Sequence, residues 1–237
     1  MGKTIIIQGA LQSELEYLLN IFEIKERVEI GGYTFYECCY NGHDIVISKT
    51  KMGEISSAIA TTLGIQRYNP EFIINQGTAG ALIESINKNE IVVGTSVYYI
   101  SQFSTDENKE IEDINPWKKD EYKTIDGEII SYKANEELIM KLKSLDCLKS
   151  DEIHFDVIGS GDVWTKDIET MNKNNKRHGV VCEAMECTGA YMAANSLKTP
   201  LVSIRVISNN EIKGQEYDPE TGITAQKMIV KILDEIF

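Results

Sequence analysis

Apolar residues along this chain follow two spacings, and each switch from one to the other marks an element. Residues 4–8, centred on Ile5-Ile6-Ile7, form an apolar run closed by Gly9-Ala10, as a strand buried on both faces does. From Gln12 the spacing becomes helical. Leu15, Leu18, Leu19 and Phe22 fall on one stripe, with Ser13 as the cap and Glu16 three residues on. Residues 33–40 and 45–49 read as strands joined by Asn41-Gly42, a strong hairpin signal. A small-residue helix opens at Thr50-Lys51-Met52-Gly53-Glu54 and runs through Ser56, Ala58, Ala60 and Leu63. Residues 72–75 predict another buried strand that ends in a glycine-rich turn, Gly77-Thr78-Ala79-Gly80-Ala81, and residues 91–94 a further strand.

Residues 102–127 follow neither spacing. They are rich in Asp, Glu and Lys and contain Pro116-Trp117, as a long functional or disordered loop would. Residues 135–142 read as a helix, and 155–158 as a strand ending in Gly159-Ser160-Gly161-Asp162-Val163-Trp164. At Glu183 a short apolar run gives way to a small-residue helix. Glu183 and Glu186 are three apart, a spacing that places two carboxylates on one helix face. A β-branched strand at 202–207 carries Arg205 inside an apolar run and ends in Ser208-Asn209-Asn210-Glu211. The last helix, near 224–236, has its stripe at Met228, Ile229, Ile232 and Ile236. Strands alternate with helices throughout, without repeat, heptad or low-complexity tract, so one α/β domain over residues 1–237 is expected.

Charge and cysteines narrow the setting. Acidic residues outnumber basic ones 37 to 24, a net charge of −13, which argues against nucleic acid as a partner. Cys38, Cys39, Cys147, Cys182 and Cys187 are odd in number and form no C-x-x-C, as expected of reduced thiols in a cytoplasmic protein. His43, His154 and His178 form no helical pair, so no metal site is expected. The N-terminal apolar run is too short for a signal peptide or a membrane span, and no membrane partner is expected.

Polar groups at strand ends and helix starts are where α/β proteins place their sites. Glu14, at the first strand-to-helix turn, is either a first-turn acid favoured by the helix dipole or a carboxylate aimed into a cleft. Trp164, just past its turn, is either a stacking surface or packing. Arg205 is costly to bury unless paired, and Glu186 is its natural partner.

Taken in order, Gly9-Ala10-Leu11-Gln12-Ser13-Glu14, Met52-Gly53, Asn75-Gln76-Gly77-Thr78-Ala79-Gly80, Ser160-Gly161-Asp162-Val163-Trp164, Met185-Glu186 and Arg205-Val206-Ile207-Ser208 resemble the methylthioadenosine/S-adenosylhomocysteine nucleosidases of the nucleoside phosphorylase superfamily. The resemblance runs from residue 4 to about 236. It implies a three-layer α/β/α sandwich with a mixed, partly barrel-like central sheet, a homodimer, a purine nucleoside as the small-molecule partner, and no cofactor. It also implies roles. Glu14 would activate water. Glu186 would bind the ribose hydroxyls, Met185 would pack on the sugar, and Arg205 would hold Glu186 and the water. Trp164 would stack on the base where the family commonly has Phe, and Met52 would line the 5′ pocket. Thr78 stands where the family has Ser. Ala79, Gly80, Val163, Glu183 and Ser208 complete the expected substrate-binding set.

The residue types suit that chemistry. Breaking an N-glycosidic bond builds oxocarbenium character on the ribose, which a carboxylate stabilises, while a second carboxylate takes a proton from water. The departures bear on the base. Asn209 stands where the family carries the Asp that would protonate adenine, and Asn has no such proton to give. Ala184 precedes Met185-Glu186 where the family has Glu, the other acid being shifted to Glu183. Relatives acting on 6-oxopurine nucleosides such as futalosine look more like this chain at both places. Ile100-Ser101-Gln102-Phe103 lacks the family's His-Asp pattern. Glu211, two residues beyond Asn209, would share its side of a strand and is a candidate substitute acid. The superfamily's phosphorylases bind phosphate with arginines, one soon after the first strand. Residues 11–20 hold no Arg or Lys, and Arg67, Arg177 and Arg205 are the only candidates beyond Arg27. Hydrolysis is therefore expected first, phosphorolysis second, and a non-catalytic nucleoside-binding relative third.

Overall fold

The computed structural model describes residues 4–101 and 130–237. The long loop expected at 102–127 lies outside them. The first apolar run is β1 (Ile5–Gly9), buried at every position because it pairs on both sides, in parallel with β4 (His43–Lys49) and β5 (Phe72–Ala81). The hairpin forms as expected between β3 (Tyr33–Tyr40) and β4. Asn41 and Gly42 both take positive φ, 49° and 82°, the conformation a two-residue turn between twisted strands requires. Beyond β3 lies β2 (Glu23–Ile30), a strand the apolar pattern does not announce. Among the described residues it pairs only with β3, its first five residues are exposed, and Lys25 and Arg27 charge this sheet edge.

The helix expected from Gln12 is split. A 3-10 turn, Gln12–Glu14, precedes a short α1 (Glu16–Ile21), and Leu15, Leu18 and Phe22 are buried. Ser13 caps nothing because it lies inside the turn. Glu14 reaches back instead to the N–H groups of Ala10 and Leu11.

The centre of the sheet closes on itself. β5 pairs with β10 (Leu201–Asn209) on one side and β9 (Val180–Ala184) on the other. β10 continues through β6 (Ile91–Tyr99) and β8 (Ile153–Ser160) back to β9. Parallel and antiparallel pairings mix in this five-strand barrel, while β1, β4, β3 and β2 extend from β5 and β7 (Ser131–Lys133) adds to β6. The expected sandwich with a partly barrel-like sheet is the fold observed. The expected glycine-rich turn after Asn75 is not a turn: Gly77–Ala81 continue β5, because β10 and β9 supply ladder partners for them. Helix α2 (Glu54–Tyr68) packs on α5 (Cys187–Ser196). Helix α6 (Thr221–Ile236) packs on β5, β10 and α1.

Two further helices start at side-chain caps. Asn135 accepts from Leu138 N–H before α3 (Glu136–Ser144), and Asp167 accepts from the Glu169 and Thr170 N–H groups before α4 (Ile168–His178). Among the described residues, no helix is long and apolar enough to cross a membrane.

Candidate active site

A cleft of about 680 Å³, including its open mouth, lies where β1, β5, β8, β9 and β10 run out. Each strand end brings side chains to it. β1 leads to Ala10, Leu11 and Glu14; β5 contributes Thr78, Ala79 and Gly80; β10 contributes Ser208 and Asn209. From β9 come Glu183 and Ala184, followed by Met185 and Glu186, while Val163 and Trp164 follow β8 and Met52 stands at the start of α2. Every expected site residue except Arg205 therefore meets at one cleft. Tyr217, with no spacing or motif to announce it, also lines it. The loop that carries it is pinned by Asp218 N–H to Ser208 O at 3.0 Å. Its ring meets Trp164 edge-on, centroids 5.6 Å apart, so two half-exposed aromatics form one apolar rim.

Glu14 is 5% exposed and each of its oxygens accepts two hydrogen bonds. Oε2 accepts from Ala10 N at 3.0 Å and Leu11 N at 3.1 Å; Oε1 accepts from Thr78 N at 2.9 Å and Thr78 Oγ1 at 3.3 Å. Gly77 makes room for this: a Cβ there would stand 2.8 Å from Glu14 Oε1.

Arg205 lies behind the cleft wall, 1% exposed. Nη1 donates to Asn75 O at 3.0 Å and Ile204 O at 3.2 Å, and Nη2 donates to Asn75 Oδ1. Its nearest carboxylate is Glu186, at 3.8 Å. The expected tight Arg205–Glu186 pair is thus a looser contact, because Arg205 points along β10 into the backbone and side chain of Asn75 on the neighbouring β5.

Glu183 and Glu186 do not share a helix face. Glu183 is the penultimate residue of β9 and Glu186 is the N-cap residue just before α5, so strand geometry separates them. Burial is the main force on both. It pushes the Glu186 carboxyl up to about 7, Glu14 and Glu54 adding repulsion while Arg205 and the Met185 N–H oppose. It also raises Glu183, opposed by hydrogen bonding from the Thr165 side chain and by the Thr165 N–H, 2.5 Å from Oε1. Glu183 Oε2 is buried and has no hydrogen-bond partner among the described residues.

Glu54 fixes the frame around Glu186. Its carboxylate accepts from Gly189 N and Ser160 Oγ, both at 2.5 Å, and Ser160 Oγ accepts from Cys187 N at 2.9 Å. The start of α5 is thereby tied to α2 and β8. Asp162 ties the loop carrying Val163 and Trp164 to α2 through Glu54 N at 3.0 Å. Asn209 accepts from Ser208 Oγ at 2.9 Å and lies 3.4 Å from Glu211. Glu211 is outside the cleft lining. β10 stops at Asn209 and Glu211 begins a 3-10 turn, so strand alternation does not carry its side chain to the cleft.

A mixed α/β barrel with a carboxylate-lined cleft at its strand ends describes a nucleoside phosphorylase or nucleosidase scaffold. The chain belongs to the phosphorylase superfamily, whose family model matches residues 4–237. It is 24% identical over 241 residues to a 5′-methylthioadenosine/S-adenosylhomocysteine nucleosidase of Bacillus thuringiensis (strain Al Hakam), covering 98% of this chain and 99% of the relative. The crystal structure of the Neisseria meningitidis 5′-methylthioadenosine/S-adenosylhomocysteine nucleosidase in complex with methylthio-immucillin-A is similar in fold, with a TM-score of 0.81, 23% identity and 98% of each chain covered. So is futalosine hydrolase of Helicobacter pylori strain 26695, with a TM-score of 0.80, 19% identity and 98% of each chain covered.

Proposed function

We propose that this protein is a purine nucleosidase that hydrolyses the N-glycosidic bond of a 5′-modified purine nucleoside of the methylthioadenosine/S-adenosylhomocysteine type, with Glu14 activating the water. The observation that carries this reading is the charge of the cleft. Glu14 lines it with a carboxylate held by four donors, and no Lys or Arg is among its described lining residues. A phosphate co-substrate would meet repulsion there, whereas water and a developing oxocarbenium ion would not. In this reading Glu186 holds the ribose hydroxyls, Met185 covers the sugar, and the Trp164–Tyr217 rim stacks on the base. Met52 sits at the mouth for a 5′ group, and Arg205 acts from behind by setting Asn75 and the field around Glu186.

A second reading concerns the base. Asn209 lines the cleft and can donate and accept hydrogen bonds but cannot transfer a proton. That favours a 6-oxopurine nucleoside, the class to which futalosine belongs. The assembly proposed is a homodimer formed through the exposed apolar face that adjoins the mouth: Met52, Ile55 and Ile59 at α2 and Met192 on α5.

Base release from adenine and 6-oxopurine nucleosides, with and without 5′ substituents and in phosphate-free buffer, tests the function. Release from at least one of them is expected. Release from none would leave a nucleoside-binding relative, and release only with phosphate would make it a phosphorylase.

A further inference from the structure

With Asn209 unable to give a proton and Glu211 outside the cleft, the leaving base needs another acid. We propose that Glu183 is that general acid, a role that rests on the nucleosidase reading above. The sheet register places it. Gly80 on β5 is the direct partner of Glu183 on β9 and of Asn209 on β10. Direct partners present their side chains to the same face, so Glu183 and Asn209 flank a residue without a side chain. Two strand spacings put their Cα atoms about 10 Å apart, a slot with Gly80 as its floor and wide enough for the edge of a base. A Cβ on Gly80 would stand 3.2 Å from Asn209 Nδ2 and narrow that slot.

The two oxygens of Glu183 are not equivalent. Oε1 is occupied by the Thr165 N–H, so it serves as acceptor. Oε2 is the buried oxygen without a partner, on a residue that lines the cleft. A proton on this carboxyl therefore sits on Oε2, and the polar edge of a base on Gly80 gives that oxygen its missing partner. Burial without a counter-charge also favours the protonated form. Thr165 directly follows Trp164, so the same hydrogen bond sets the acid and the stacking ring in one frame.

The step balances within the hydrolysis. Glu183 Oε2 gives its proton to a ring nitrogen of the purine as C1′–N9 breaks, and that bond's electron pair moves onto the base, which leaves neutral. Water adds to C1′ and passes its proton to Glu14. Glu14 then releases that proton to solvent while Glu183 regains one. No oxidant, metal or co-reactant enters.

The test compares two leaving groups. One substrate is the best purine nucleoside; the other is the 4-nitrophenyl riboside with the same 5′ group, whose leaving group needs no proton. Glu183→Gln keeps an acceptor for Thr165 N–H but loses the acid. It is expected to slow the nucleoside by at least about a hundredfold more than the nitrophenyl riboside, the scale of a lost general acid. Glu14→Gln and Glu186→Gln should slow both substrates alike. Equal losses on both substrates for Glu183→Gln, or no loss on the nucleoside, would overturn the assignment. If the Gln variant does not fold, Glu183→Asp, with its carboxyl withdrawn by one methylene, is held to the same ratio. A wild type that cleaves no nucleoside sinks the nucleosidase reading, and the acid assignment with it.

Discussion

The two carboxylate walls of the cleft are built on opposite terms. On the β1 side, Glu14 is held by four donors from three residues. On the β9–α5 side, Glu183 is held by Thr165 alone and keeps one oxygen without a partner among the described residues, while Glu186 has a 3.3 Å contact from Met185 N and an arginine at 3.8 Å. Glu14 and Glu183 are buried and Glu186 is part-buried, so the difference lies mainly in how each carboxyl is compensated. The first wall is held by the protein's own donors, and the 3.3 Å contact from the Thr78 hydroxyl is the one a water can replace. The second leaves its carboxyls to be satisfied by a ligand, and until then favours their neutral forms.

Glu14→Gln should show the largest change. An amide nitrogen would face N–H donors of Ala10 and Leu11 or of Thr78, so stability should fall by about 1–3 kcal/mol while turnover falls at least about a hundredfold. Calorimetry and steady-state rates on the same sample measure both. A variant that keeps near-normal rates would remove Glu14 from the chemistry.

Glu186→Gln should lose a similar factor in rate, about a hundredfold, but gain stability above neutral pH. The sign follows from burial. Glu186 is raised from 4.5 to about 7, so the folded state binds more protons than the unfolded state between those values. Its contribution is fully present below 4.5 and is lost as pH rises through about 7. Melting temperature of the wild type should therefore drop across that window, and less so in Glu186→Gln. Activity should move the other way, rising through about pH 7 as the carboxylate forms. A stability profile unchanged by the substitution would show that Arg205 compensates Glu186 fully.

Smaller effects belong to the rim. Trp164→Ala should raise KM roughly tenfold with a lesser change in kcat, since base–aromatic stacking is worth about 1–3 kcal/mol. A kcat loss with KM unchanged would make Trp164 part of the chemistry instead. Ile55→Asp should convert a dimer to a monomer by sedimentation and leave the two walls intact, whereas a wild type that sediments as a monomer would end the dimer proposal.

Much of this site could be read from residue order. Glu14, Glu186 and Asn209 each sit at a strand end or helix start, and Trp164 just past β8, where the apolar spacing changes and the chain must turn. What stayed hidden depends on pairing at long range. Gly77–Ala81 look like a turn locally and become strand because β9 and β10 lie beside them. β2 has charges on its open edge, and α4 has too few apolar residues to show a stripe. Tyr217 arrives by a loop whose course is fixed by Asp218 and Ser208. The unlike fates of Glu183 and Glu186 follow from where β9 ends, which their spacing alone does not fix.

The claim that this cleft serves water and not phosphate can be measured on the sugar product. The wild type, given its best nucleoside in 18O-labelled water with millimolar phosphate present, should release the free sugar carrying one labelled oxygen at C1, at a rate independent of phosphate. An unlabelled sugar 1-phosphate, formed only when phosphate is supplied, would contradict the account.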